Sequence, residues 1–131
     1  MCRLVELLAV PSPSGYTSEA EAFVEHVLRG VGIAPQRTNK RMVLCDLGGR
    51  GHPLVLQSHL DTLGAMVRSI KDTGRLRFSK IGGSPDAYIV TENCLVHTMG
   101  GASYTGTIQP VDPAAHVNRS IRDLKPEEES L

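Results

Sequence analysis

The residues best suited to chemistry lie in one pentapeptide of this 131-residue chain, Gln57-Ser58-His59-Leu60-Asp61. His59 and Asp61 are two apart, and alternate residues of an extended segment point to the same side. That spacing sets an imidazole beside a carboxylate. A metal-binding histidine needs one ring nitrogen free, and its other nitrogen ordinarily donates to a carboxylate or carbonyl that fixes the tautomer. Asp61 suits either role open to it, orienting the His59 ring or bridging a second metal. The plainer alternative is a partly buried histidine satisfied at a strand end, because a bare His-x-Asp triplet is common.

The rest of the chain offers weaker candidates. His26 falls on the polar side of a helical pattern, His52 lies in a Gly-rich turn, His97 ends a strand pattern, and His116 follows Asp112-Pro113-Ala114-Ala115. No pair has the i, i+4 spacing of a helical zinc site, and no second His-x-Asp occurs. Glu19, Glu21, Glu25 and Glu92 read as solvated charge. Gly48-Gly49, Gly82-Gly83 and Gly100-Gly101 lack the following Lys-Ser or Lys-Thr of a phosphate-cradling loop. Ser14 and Ser58 lack the setting of an activated nucleophile.

An almost continuously apolar run, Pro53-Leu54-Val55-Leu56-Gln57, feeds directly into the His59 segment. Such a run suits a strand covered on both faces, and polar residues at the carboxyl end of a buried strand are where α/β folds place their chemistry. Upstream, Leu4, Val5, Leu7 and Leu8 predict a short helix that ends before Pro11-Ser12-Pro13. A second helix is predicted from Ser18, with Glu21 at capping-box spacing. Ala20, Phe23, Val24, Val27, Leu28 and Val31 recur along it at helical intervals, and Gly30 and Gly32 lie where its C-terminal cap belongs. Arg41–Leu47 predicts a strand, followed by the turn Gly48-Gly49-Arg50-Gly51.

Beyond Met66 the texture changes. Met66–Ile70, Arg75–Phe78, Ala87–Val90, Asn93–His97 and Tyr104–Ile108 are short strand patterns separated by Gly and polar turns, the signature of a small antiparallel barrel or sandwich. The tail from Arg119 to Leu131, with Pro126 and Glu127-Glu128-Glu129, is expected to fray. The domain division is therefore 1–66 and 67–131.

Composition narrows the function classes. Lys plus Arg number 14 and Asp plus Glu number 14, so no overall charge draws the chain to nucleic acid or acidic membranes. Arg68, Lys71, Arg75, Arg77 and Lys80 form a local basic stretch that reads as a solvated hairpin. No apolar run approaches the ~20 residues of a membrane span. The start lacks a secretory pattern, and the chain reads as cytoplasmic. Cys2, Cys45 and Cys94 are odd in number and far apart, which opposes a disulfide framework and a CxxC zinc site; Cys45 reads as a small buried hydrophobe. With no Trp and five Phe plus Tyr, any core rests on aliphatic side chains.

Four segments fall in one order: Pro11-Ser12-Pro13-Ser14-Gly15-Tyr16; Pro53 through Val67, including His59-Leu60-Asp61-Thr62-Leu63-Gly64-Ala65-Met66-Val67; Ile81-Gly82-Gly83; and Gly106-Thr107-Ile108 with a later His116. This order resembles the tetrahedral, deblocking and glutamyl aminopeptidases, peptidase family forty-two, also known as endoglucanase-like proteins. The resemblance implies the start of a zinc-peptidase-like α/β catalytic domain, followed by an inserted β-barrel-like dimerisation domain. It implies a peptide substrate, a homo-oligomer, and two divalent metals in the complete site, zinc or cobalt. By position His59 looks like the first metal ligand and Asp61 like the residue that orients it. Thr62 departs from an acidic residue found there in many members, and the Pro-Ser-Gly loop looks structural.

The family's remaining ligands and its Glu general base lie after the inserted domain. The resemblance therefore implies an N-terminal portion that is inactive alone. Two other readings stand beside it. One is an aminoacylase or carboxypeptidase-like metallopeptidase, whose Asp in a similar segment bridges the metals. The other is a non-catalytic oligomerisation module. Leu63-Gly64-Ala65-Met66-Val67 and Ile81-Gly82-Gly83 suit the aminopeptidases better than the first of these.

Overall fold

A computed structural model describes residues 2–110, 114 and 116. They form a mixed helix-and-strand structure in two compact units, divided between Gly82 and Gly83. The first unit opens with α1 (Arg3–Leu8) and α2 (Ser18–Gly30) and continues with β1 (Gln36–Arg37), β2 (Val43–Leu44), β3 (Gly64–Ile70) and β4 (Leu76–Ile81). The second contains a single 3-10 turn (Asp86–Tyr88), β5 (Asn93–His97) and β6 (Ser103–Thr107). The six strands make three separate two-stranded antiparallel sheets: β1 with β2, β3 with β4, and β5 with β6. Among the described residues these sheets close no barrel, contrary to the expected barrel.

Both predicted helices form where the apolar spacing places them. The end of α2 follows from its glycines. Gly32 adopts φ 81°, its amide reaches the Arg29 carbonyl, and the Ile33 amide reaches the Leu28 carbonyl. These are the two bonds of a Schellman cap, which favours glycine at the left-handed position. The start of α2 differs from expectation. Thr17, not Ser18, is the N-cap, and no side chain caps a backbone amide there. The Thr17 hydroxyl instead donates to the Glu21 carboxylate at 2.6 Å.

Glu21 is the principal correction in this unit. The solvated-charge reading fails: it is 2 % exposed. Arg41 grips it with Nε at 2.9 Å and Nη2 at 2.8 Å, and Arg37 adds a contact at 3.4 Å. A carboxylate is tolerated out of water only when paired and hydrogen-bonded in this way. Arg41 sits at the β1–β2 turn with φ 66°, a left-handed conformation costing roughly 1–2 kcal/mol for a non-glycine residue. The bidentate contact to Glu21 offsets that cost and ties the hairpin to α2.

The run at 53–57 is the second correction. It forms no strand, and Leu54, Val55 and Leu56 are 84 %, 77 % and 86 % exposed. A strand requires a partner to accept its backbone bonds, and no described strand lies beside this segment. Ala87–Val90 likewise departs from its strand pattern. After Pro85 the amides of Tyr88 and Ile89 bond to the carbonyls of Pro85 and Asp86, so local turn bonds replace a ladder.

The other hairpins form close to their patterns. β3 and β4 pair from Gly64↔Ile81 to Ile70↔Leu76, with an irregularity between Val67 and Ser69. β5 and β6 pair from Asn93↔Thr107 to His97↔Ser103. The basic stretch lies along the first of these, in keeping with a solvated hairpin. Little apolar surface is sealed. Ala20 is the buried hydrophobic residue among those described, with Pro110 also buried. Cys45 is half-buried rather than enclosed. The expected behaviour of Arg119 to Leu131 lies outside the described residues.

Candidate metal-ligand site

The segment carrying His59 is held by the Pro-Ser turn, 47 or more residues earlier in the chain. Ser12, 2 % exposed, is used twice. Its hydroxyl donates to the Leu60 carbonyl at 3.0 Å, and its carbonyl accepts the Thr62 amide at 2.8 Å. Pro13 and Thr62 form a parallel bridge. Gly64 permits this approach, because a Cβ there would stand 2.5 Å from the Pro13 Cβ. Below it, Gly82 faces Leu63: an added Cβ would meet Leu63 Cδ2 at 2.4 Å. Two glycines, 18 residues apart in sequence, thus give the segment its close neighbours.

On this frame His59 and Asp61 come together as their spacing predicts. His59 Nδ1 is 2.9 Å from the Asp61 carbonyl oxygen and 3.2 Å from Asp61 Oδ1. The carbonyl can only accept, so Nδ1 carries the proton and Nε2 keeps its lone pair. The His59 side chain is 84 % exposed. Asp61 Oδ2 accepts a hydrogen bond from the Ser14 hydroxyl. That bond, with the Asp61 backbone amide and the adjacent His59, holds the Asp61 carboxyl below the usual carboxylate range against a smaller upward push from partial burial.

The arrangement is a ligand-ready imidazole with a charged carboxylate behind it. It is not a hydrolytic Ser-His-Asp triad. Ser14 bonds to the carboxylate rather than to the imidazole, so the histidine is not placed to take its proton. Among the described residues no group of three or more His, Cys, Asp and Glu gathers to hold a metal. The described residues therefore fit one ligand position and its support, and do not make a complete metal site.

His26, His52 and His116 are exposed, and the His97 Nδ1 meets the Ser103 hydroxyl at 2.9 Å across β5 and β6. Sequence reasoning missed Ser12 and Ser14 as parts of the site. Their only sequence signal was position within a Pro-Ser-Gly turn, and nothing in that turn announces a partner so far along the chain.

The sequence profile of the family described as M42 glutamyl aminopeptidase matches residues 42–130, and the chain belongs to that family. Two relatives agree. "Putative aminopeptidase YhfE" of Bacillus subtilis (strain 168) is 35 % identical over 128 residues, 96 % of this chain and 37 % of the relative. "Putative aminopeptidase FrvX" of Escherichia coli (strain K12) is 32 % identical over 68 residues, 52 % of this chain and 19 % of the relative. The chain thus spans little more than a third of the length of the first and about a fifth of the second. No helix among the described residues is long and apolar enough to cross a membrane.

Proposed function

We propose that this chain is the N-terminal portion of a dinuclear-metal aminopeptidase, one that removes N-terminal residues from peptides. The observation that carries the reading is the His59–Asp61 pair: Nδ1 beside two Asp61 oxygens on a largely exposed side chain, in a chain of the M42 family. His59 is the ligand and Asp61 the residue that orients it. The chemistry two divalent ions supply in such enzymes, zinc or cobalt here, is polarisation of the scissile carbonyl and activation of a water. What this chain contributes is the proton placement on Nδ1 and the negative charge behind it, which makes Nε2 a better donor.

On the same reading residues 1–66 belong to the catalytic domain and 67–131 to an inserted, oligomer-forming domain, the protein is cytoplasmic, and the chain alone is inactive. The donor count supports inactivity: catalytic zinc sites keep three protein ligands, and no three His, Cys, Asp and Glu gather to hold a metal among the described residues. Aminoacyl-p-nitroanilide hydrolysis with added zinc or cobalt is the test. No turnover is expected from the 131-residue chain. Robust turnover that a chelator abolishes would show that the site is complete within it.

An interaction module is the second reading, and one observation favours it. All seven residues of β3 are exposed, and among the described residues β3 pairs with β4 alone, leaving an edge of the kind that joins partners.

A further inference from the structure

We propose that Ser14 is a positioning residue for His59 and acts through the Asp61 carboxylate. The inference rests on the reading of His59 as a ligand and revises the reading of the Pro-Ser-Gly loop as structural alone. A carboxylate on a short side chain has two oxygens and one soft torsion. With Oδ2 engaged by the Ser14 hydroxyl, rotation about that torsion is arrested and Oδ1 remains 3.2 Å from His59 Nδ1.

The second acceptor of Nδ1, the Asp61 carbonyl, is held by the same turn. Ser12 binds the residues on either side of Asp61, through the Leu60 carbonyl and the Thr62 amide, and Pro13 adds its bridge to Thr62. Three consecutive residues, Ser12, Pro13 and Ser14, therefore set both oxygens that select the His59 tautomer. The division of labour is specific. Ser12 is buried and holds backbone, so its loss loosens the segment. Ser14 is exposed and holds one side chain, so its loss leaves the fold and changes the imidazole. Without it Asp61 is free to turn toward water, and the ring shifts toward the Nε2–H form, which has no lone pair to offer a metal.

The test is nitrogen NMR of the His59 ring in the 131-residue chain, without metal and well above the ordinary histidine titration near pH ~6.5. Wild type should show a protonated Nδ1 and an unprotonated Nε2. Ser14→Ala should lower the Nδ1–H to Nε2–H ratio by about fivefold, the effect of losing roughly 1 kcal/mol of hydrogen bonding. Ser14→Thr, which restores the hydroxyl, should recover it. In an Asp61→Ala background, Ser14→Ala should have no further effect.

A wild-type ring mainly in the Nε2–H form overturns the proposal, and needs no variant to fold. An unchanged ratio in Ser14→Ala overturns it, as does an equal change when Asp61 is already absent. The ligand reading fails separately: if millimolar zinc leaves the His59 Nε2 resonance unmoved while the Ser14–Asp61 coupling persists, His59 is oriented but does not bind metal.

Discussion

At the scale of single residues, the proposed ligand His59 belongs to no cluster of three or more His, Cys, Asp and Glu among the described residues. Its Nδ1 is committed to Asp61 and its side chain is largely in water. One imidazole does not hold zinc tightly. Loss of even a supporting partner costs ~10–100-fold in metal affinity, and loss of most direct ligands costs more. Zinc titrated calorimetrically into the 131-residue chain at neutral pH should therefore show no His59-dependent site tighter than about 1 µM. Melting temperature should be nearly the same in zinc and in chelator, for wild type and for His59→Ala. Strong zinc stabilisation that disappears in His59→Ala would mean that further ligands in this chain, or in a second copy, complete the site.

At the scale of elements, the ion network between α2 and the β1–β2 hairpin does the work that an apolar core usually does. Glu21 bridges Thr17, Arg37 and Arg41, and Glu25 bridges Arg29 and Arg37. The Arg41 hydrogen bonds are the largest cause holding the Glu21 carboxyl below its ordinary 4.5; burial opposes them, and Thr17 and the arginine charges assist. A carboxyl whose folded value is depressed contributes stability that is present above the unfolded value and is lost as pH falls through the folded one. Glu21→Gln should cost about 1–2 kcal/mol near neutral pH, toward the lower end for bonds to charged groups because both arginines are substantially exposed. Urea denaturation should show the gap between the two proteins constant above pH 4.5 and closing as pH falls below it. A gap that widens in acid would refute the assignment of Glu21 as the charged partner.

At the scale of the whole molecule, the described residues leave much apolar surface in water. Leu54, Val55 and Leu56 form a continuous exposed run, and Leu44 and Leu47 nearby are 56 % and 76 % exposed. Exposed apolar stretches of this kind promote association. The 14.1 kDa chain should therefore scatter light as a species heavier than a monomer. Replacing Leu54 and Leu56 together by Asp should shift it toward the monomer. Because neither side chain is packed in this structure, the same double substitution should move folding stability by no more than about 0.5 kcal/mol. A monodisperse wild-type monomer contradicts the first expectation, and a large stability loss contradicts the exposure of these residues.

Sequence alone determined what local physics settles. The apolar spacing and Gly32 specified α2 and its Schellman end, the turn glycines and strand patterns specified the β3–β4 and β5–β6 hairpins, and the two-residue spacing of His59 and Asp61 brought imidazole and carboxylate together. The order of the Pro-Ser-Gly, His-Leu-Asp and Ile-Gly-Gly segments sufficed to recognise the M42 family. Tertiary structure decided what depends on distant partners. Glu21 reads as surface charge until Arg41, 20 residues on, folds back over it. Ser14 reads as a turn residue until Asp61, 47 residues on, accepts its hydroxyl. The 53–57 run reads as a buried strand because its composition is that of one, but a strand exists only where a neighbour accepts its backbone bonds, and periodicity along one segment carries no information about that neighbour.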